Sequence, residues 1–500
     1  MSNNKTEPVK PASMSSLHVL TLNCWGLKYI SKYRKERMAE IGRELARHDP
    51  PLDIVGLQEC WTYSDYQEIS TTIRDVLPYS KFYHSGIFGG GLAIFSRWPI
   101  RDSTMHRYTL NGRPTAFFRG DWYVGKGVAC AKIQPPDGSP IEVFNTHLHA
   151  PYEREPNDSY ICHRTAQAWE IAKLMRAATD RGSLVLGLGD FNMIPLSFAH
   201  VLIEDRGAVR DVWRFMTPGS SIGASIDPPE QERRRKLGEK EVPDVQESIH
   251  YHGHTCDTVV NTWRWSKEDR KALEKGRDRE IGLGDPDSHA KRLDYIFFNG
   301  FDSGWAVHEA SVTMTGRHPT LRCTLSDHLA VRAVLKRTEI APQPEETLTA
   351  SRPLRSTRSR ASTEVIAMDT ESLEKALSKN PTKVEVGTEF YEQILKMVEA
   401  YKLRERKQRR WRLSHFVVAS VVSIGSFVAI WWSPRNFVSF ILLIVSTFGI
   451  MAGTIDGLIG GLFMGSELRA LAEFEWEVRN AWELSGGPEH KQIPLKDWWD

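Results

Sequence analysis

Two apolar runs near the C-terminus, Phe416–Trp432 and Phe437–Ile455, hold no charged residue and are separated only by Ser433, Pro434, Arg435 and Asn436. Roughly 20 consecutive apolar residues span a bilayer, so the pair predicts a transmembrane helical hairpin, the alternative being a helical hairpin buried in a soluble core. Trp431 and Trp432 at the turn suit an interfacial aromatic belt. Ahead of the first run, Lys402 to Arg412 is dense in Lys and Arg against the single acid Glu405. Basic residues flank the cytosolic end of a span, so both ends of the hairpin, and everything before it, are expected in the cytosol. The second run continues past Asp456 to Gly465, which puts Asp456 at the interface or against the partner helix.

Elsewhere the chain reads as soluble. With 65 Lys+Arg against 63 Asp+Glu the net charge is +2, which provides no global attraction to nucleic acid, and none is expected as a partner. Cys24, Cys60, Cys130, Cys162, Cys256 and Cys323 form no C-x-x-C pair, which argues for reduced thiols rather than a zinc site or disulfide scaffold. Met1 to Ser16 is polar and lacks the apolar core of a signal peptide.

Short β-rich runs at His18–Leu22, Ile54–Leu57, Leu92–Phe95, Ile141–Phe144, Leu184–Leu188, Tyr295–Phe298 and Ala330–Val334 read as strands. Between them Arg34–Arg47 and Ser159–Ala178 have helical spacing, so the class is α/β or α+β. Charged stretches at Pro228–Lys240 and Ser266–Arg279 are expected to be loops or solvated helices outside the core. The organisation that follows is a catalytic domain over 17–336, a disordered linker over 337–389, a basic juxtamembrane helix over 390–414, two transmembrane helices over 415–465 and an amphipathic tail over 466–500. The linker lacks Phe, Trp and Tyr between Thr338 and Glu389, too little apolar surface to offset the entropy of ordering. The tail aligns Leu468, Leu471, Phe474, Val478 and Trp482 on one stripe, suited to lying on the membrane or docking onto the catalytic domain.

Polar side chains recur where the strands end. Asn23 closes the first and Glu59 the next, while Asn145, His147 and His149 follow Ile141–Phe144 with the spacing of one strand face. Gly189-Asp190-Phe191-Asn192 follows a strongly apolar strand, Arg292-Leu293-Asp294-Tyr295 opens another, and Ser326-Asp327-His328 precedes the last. Taken alone, Asn23 reads more readily as a turn Asn and Glu59 as a solvated Glu than as ligands. Together they match a chemistry. Mg2+ takes oxygen ligands, typically one or two carboxylates plus water, which Glu59, Asn23 and Asp327 supply, whereas zinc would want more nitrogen or sulfur. A histidine activates water when a carboxylate fixes its tautomer, a role open to Asp294 towards His328, with Asp190 and Asn192 orienting the water.

This ordered set resembles the endonuclease/exonuclease/phosphatase superfamily over about Leu17 to Lys336. The resemblance implies a DNase I-like two-sheet α/β sandwich, here followed by the transmembrane hairpin, and Mg2+-dependent cleavage of a phosphoester. It also implies that His147 and Asn145 contact the phosphoryl group or leaving oxygen. Gly120-Asp121-Trp122-Tyr123-Val124-Gly125-Lys126-Gly127 matches G-x-x-x-x-G-K, yet Gly127 stands where a nucleotide P-loop needs Ser or Thr, and a strand follows. The segment is similar to the P-loop-like element of neutral sphingomyelinases and fungal inositol phosphosphingolipid phospholipase C, which implies that Asp121 and Lys126 support activity. Thr255-Cys256-Asp257 with Asn261-Thr262-Trp263 is also similar to a segment of these enzymes, and the C-terminal hairpin matches their arrangement.

The resemblance implies hydrolysis of a sphingolipid in a membrane to ceramide and a phosphorylated head group, activated by anionic phospholipid through Lys402–Arg412. Inositol phosphate, mannosylated inositol phosphate and phosphocholine present the same phosphodiester, so the head group stays open. The endoplasmic reticulum is the default membrane, the mitochondrial outer membrane the second. Inositol polyphosphate 5-phosphatases share Gly189–Asn192, but their P-x-W-C-D-R element is absent at Arg292-Leu293-Asp294. Two alternatives remain: an apurinic endonuclease-like nucleic-acid phosphodiesterase, which shares R-L-D-Y, and an inactive membrane-tethered interaction module.

Overall fold

The computed structural model describes residues 14–116, 119–153, 159–299, 304–337 and 387–487. The linker expected over 337–389 lies almost wholly outside the described residues, as does the tail beyond 487. In chain order the strands are β1 (Ser16–Asn23), β2 (Ile54–Gln58), β3 (Tyr79–Tyr83), β4 (Leu92–Ser96), β5 (Ile100–Arg107), β6 (Gly127–Ile133), β7 (Ile141–His147), β8 (Leu184–Asp190), β9 (Arg210–Asp211), β10 (Asp294–Phe298), β11 (Trp305–Thr313) and β12 (Ala330–Arg337). They form two six-stranded sheets, β11-β12-β1-β2-β4-β3 and β5-β6-β7-β8-β10-β9.

The central strands are apolar on both faces because each face is covered. Val19, Ile54 and Ile94 point inward with Ala131, Val143, Leu186 and Ile296 of the opposite sheet, forming the layer between the sheets. Their neighbours Leu20, Val55 and Phe95 point outward, onto Met38 and Ile41 of α1 (Arg34–Ala46) and Tyr66 and Ile69 of α2 (Tyr63–Thr72). Within the candidate P-loop, Asp121–Val124 makes one short helix, α3. On the other sheet, Val185, Tyr295 and Phe297 meet Trp169 and Met175 of α4 (Ile161–Asp180) and Leu202 of α5 (Phe198–Gly207).

Between β9 and β10 come α6 (Val212–Met216), α7 (Pro228–Leu237) and α8 (Lys267–Glu274). The charged stretch at 228–240 is not merely solvated, as the sequence led us to expect. Glu230, Arg233 and Arg234 of α7 are buried, with Arg233 Nη2 2.8 Å from Glu230 Oε1 and 2.7 Å from Glu239 Oε2. Mutual pairing is what permits this burial.

The C-terminal region is three helices: α9 (Thr388–Ile430), α10 (Asn436–Leu458) and α11 (Met464–Leu484). The basic segment and the first apolar run are one uninterrupted helix, because no proline intervenes before Pro434. α9 and α10 cross where small residues permit close approach: a Cβ on Gly453 would lie 2.5 Å from the Ala419 Cβ. Only 17% and 11% of their most apolar windows is buried in the protein, so the apolar side chains face outward, unlike those of a soluble core hairpin. The amphipathic stripe of α11 docks onto the catalytic fold. Leu471, Phe474 and Val478, with Tyr391, Ile394 and Val398 of α9, pack around Trp169. Trp169 Nε1 donates to Glu477 Oε2 at 2.7 Å, and Phe390 stacks on Phe198 with ring centroids 3.9 Å apart.

Candidate active site

Strand register gathers the polar residues. β7 and β8 run parallel with His147 opposite Asp190, and β10 runs antiparallel to β8 with Asp294 opposite Asp190, so three neighbouring strands present one side chain each at the same edge. The facing sheet ends likewise, with Asn23 of β1 opposite Gln58 and Glu59 one residue on. Glu59 and Asn192 leave their strands in left-handed conformations, φ 54° and 47°.

Asp190 is the meeting point. Its Oδ2 accepts from Asn23 Nδ2 at 3.0 Å and lies 3.5 Å from His147 Nε2 and 3.8 Å from His328 Nε2, while its Oδ1 accepts from Asn192 N at 2.9 Å. Burial raises its carboxyl to about 6 against the opposing pull of His328. His328 Nδ1 donates to Asp294 Oδ2 at 2.8 Å. Burial alone would lower the basicity of His328, but Asp294, Cys256 and Asp190 together hold it well above the usual histidine range. Burial lowers His147 well below that range, Lys126 adding to the effect.

Glu59 Oε1 accepts from Asn23 Nδ2 at 3.1 Å. Burial raises its carboxyl, and the nearby Asp327 charge raises it further. Asp327 is itself raised by burial, opposed by His328 and Arg37. Two partly buried carboxylates that each resist ionisation fit a hard divalent cation; Asn23 turns its Nδ2 to Glu59 and Asp190 and its Oδ1 to Trp25 N at 2.9 Å, so it would join them as an oxygen ligand with its amide turned over. A second grouping also fits by distance: the ligand atoms of Asp190, Asp294 and His328 lie within 4.8 Å of one another. There, however, His328 Nδ1 is already occupied by Asp294, the arrangement of an acid–base pair.

Lys126 is buried, its Nζ donating to the Leu148 carbonyl at 2.9 Å, the same oxygen that accepts from Asn192 Nδ2 at 3.1 Å. Burial lowers its pKa, with the Asp121 charge opposing. Asp121 turns away, accepting from Tyr152 OH at 2.7 Å and lying 3.4 Å from His149 Nε2. His149 therefore leaves the face of His147 and stacks on Tyr160, centroids 4.0 Å apart. Asn145 is fully buried: its amide donates to the Leu57 and Ala93 carbonyls at 2.9 and 3.0 Å and its Oδ1 accepts from Gln58 at 2.6 Å. Its hydrogen bonds tie the two sheets together rather than reach a phosphoryl group, contrary to the sequence expectation.

Several supporting residues were not assigned from sequence. Thr255 Oγ1 donates to Asp294 Oδ2 at 2.5 Å, Asn261 Nδ2 to the Asp327 carbonyl at 2.6 Å, and Ser326 Oγ to the Asn23 carbonyl at 2.5 Å. Arg37 is buried between Trp25 and Trp263 and bonds the Cys24, Trp25 and Leu325 carbonyls. The Thr255 and Asn261–Trp263 motifs were visible as motifs, but their partners lie far away in sequence.

The pattern described as the Endonuclease/Exonuclease/phosphatase family matches residues 20–328. Inositol phosphosphingolipids phospholipase C of Schizosaccharomyces pombe is 38% identical over 465 residues, 93% of each chain. The Saccharomyces cerevisiae protein of the same name is 31% identical over 495 residues, 93% of this chain and 90% of its own. Sphingomyelin phosphodiesterase 2 of Mus musculus is 30% identical over 338 residues, 68% of this chain and 69% of its own.

Proposed function

The chain belongs to the endonuclease/exonuclease/phosphatase family and, within it, to the sphingolipid phospholipases C and neutral sphingomyelinases, which are phosphoric diester hydrolases; from this premise we propose that it is a membrane-anchored, Mg2+-dependent phospholipase C acting on inositol phosphosphingolipids or sphingomyelin. The observation that carries the reading is a likeness extending over both the catalytic fold and the C-terminal helices, joined to the Asp190–Asp294–His328 cluster at the sheet edge.

In this reading the neutral form of His328, its Nε2 unprotonated, takes a proton from the water that attacks phosphorus, and Asp294 keeps Nδ1 protonated and the ring oriented. Asp190 and Asn192 position that water. Glu59, Asn23 and Asp327 would hold Mg2+, which supplies charge neutralisation at the phosphoryl oxygens. Lys126 adds a positive charge there, and His147 stands beside Asp190 where the leaving oxygen emerges. The P–O bond to ceramide breaks, the ceramide oxygen takes up a proton, and the phosphorylated head group retains the incoming oxygen.

α9 and α10 span the membrane and leave the catalytic fold in the cytosol, at the endoplasmic reticulum or, as second choice, the mitochondrial outer membrane. Within the basic segment Lys402 pairs with Glu475 and Arg412 with Asp456, while Arg406, Lys407 and Arg410 are exposed and available to anionic phospholipid. The test is ceramide release by the purified full chain in phosphatidylserine-containing vesicles, with a panel of inositol phosphosphingolipid, sphingomyelin, glycerophospholipid and abasic DNA, with Mg2+ or chelator. Mg2+-dependent ceramide release is the expected result. Cleavage of DNA alone, or of no substrate, would overturn the reading.

A further inference from the structure

The loop joining β3 to β4 exposes two adjacent large apolar side chains, Ile87 and Phe88, 68% and 66% exposed. Its shape is fixed by backbone contacts. Ile87 N and Phe88 N both donate to the Tyr123 carbonyl, at 2.8 and 3.2 Å, and Gly86, at φ 55°, lies so close to Val124 that a Cβ would fall 2.2 Å from its carbonyl oxygen. The apolar tip is thus presented by a built turn.

Its place in the molecule indicates its occupant. At the β4 end of the loop the Gly91 carbonyl accepts from Cys60 N at 2.9 Å, beside Glu59, so the base of the loop abuts the candidate site. Across Glu59, Gly26 N donates to the Glu59 carbonyl at 3.0 Å, and the loop that follows exposes Tyr29 and Ile30. From Phe88 an aromatic chain leads to the apolar hairpin: Phe88 lies 6.1 Å from Tyr123, Tyr123 5.0 Å from Trp122, and Trp122 5.0 Å from Phe463, in the stretch by which the second apolar run continues past Asp456. An apolar rim continuous with a membrane helix faces the same apolar medium.

We propose that Ile87 and Phe88 enter the lipid bilayer and seat the opening of the active site on the membrane that holds the substrate, an inference that rests on the hairpin being membrane-spanning. A sphingolipid phosphodiester lies at head-group depth, and an active site pressed onto the surface reaches it without extracting the lipid.

The test uses the full chain reconstituted in phosphatidylcholine vesicles containing phosphatidylserine and inositol phosphosphingolipid. A Phe88→Cys variant labelled with an environment-sensitive fluorophore, against wild type labelled in parallel, should show blue-shifted emission quenched by lipids spin-labelled on their acyl chains. The Ile87→Ser/Phe88→Ser double variant should lose about tenfold in turnover of vesicle substrate while hydrolysis of a monomeric short-chain analogue stays within about twofold, which also establishes that it is folded. Water-like emission from a chain that resists carbonate extraction, or equal loss on both substrates, would overturn the proposal and leave the spanning hairpin standing. Release of the whole chain by carbonate would instead overturn the anchoring on which it rests.

Discussion

His328 Nδ1 donates to Asp294 Oδ2 at 2.8 Å, and that contact leaves Nε2 as the ring nitrogen turned towards Asp190. Proton transfer by a positioned histidine contributes about 10²- to 10⁴-fold to a rate. His328→Ala should therefore lower kcat by about that factor. Asp294→Asn should come close to it, because an amide no longer selects the tautomer. Ceramide release at saturating substrate, with circular dichroism to establish folding, measures both.

Thr255 shares the same Asp294 oxygen, its hydroxyl 2.5 Å away. A hydrogen bond to a charged group is worth about 1.5–3 kcal/mol, so Thr255→Val should reduce kcat by about 10- to 100-fold with KM little changed. Thr255→Ser, which keeps the hydroxyl, should restore most of the rate. Restoration by Ser separates positioning of Asp294 from a packing defect.

Glu59 tests the cation. Chelation should abolish ceramide release and added Mg2+ should restore it. Glu59→Gln should raise the Mg2+ concentration for half-maximal rate by about tenfold or more, since one of only two carboxylates offered to the ion becomes neutral. A titration of rate against Mg2+ reads the shift directly.

Glu405, buried where α9 meets α11, carries a pH dependence. Burial, then the Glu467 charge, lifts its carboxyl from the ordinary 4.5 to about 7. A carboxyl raised by folding stabilises fully below its unfolded pKa, and that contribution is lost as pH rises through about 7. Tm should accordingly fall between about pH 5 and pH 8, by at most about 3 kcal/mol of stability. Glu405→Gln should flatten that fall, followed by thermal unfolding of the detergent-solubilised chain.

Arg406, Lys407 and Arg410 are the exposed bases of the juxtamembrane stretch of α9. Each base near an anionic leaflet contributes about 1 kcal/mol. Replacing all three by Gln should remove most of the stimulation by phosphatidylserine while preserving the rate in neutral vesicles. Rates across a phosphatidylserine series check it.

The eight strands expected from sequence, the one after Gly127 included, are all present because their residues are largely apolar on both faces. β3, β5, β9 and β11 were not foreseen: they are the edge strands of the two sheets and carry residues such as Lys81, Asp102, Arg210 and Glu309 that belong equally to loops. The polar cluster was legible because strand ends converge by register. The orientation of each side chain was not. Asn145 and His147 share a strand face, yet one is consumed by carbonyls of the facing sheet and the other meets Asp190. The burial of α7 was hidden for a different reason, since paired charges read as solvated ones until their partners are known.

The packing of α9 and α11 around Trp169 means that attachment and catalysis are not separable cassettes. Cutting the chain ahead of Thr388 would strip an apolar cover from α4, so a truncated enzyme would be sticky before it was slow. Grafting a foreign single-span anchor onto residues 17–337 would return it to a membrane but leave that face bare.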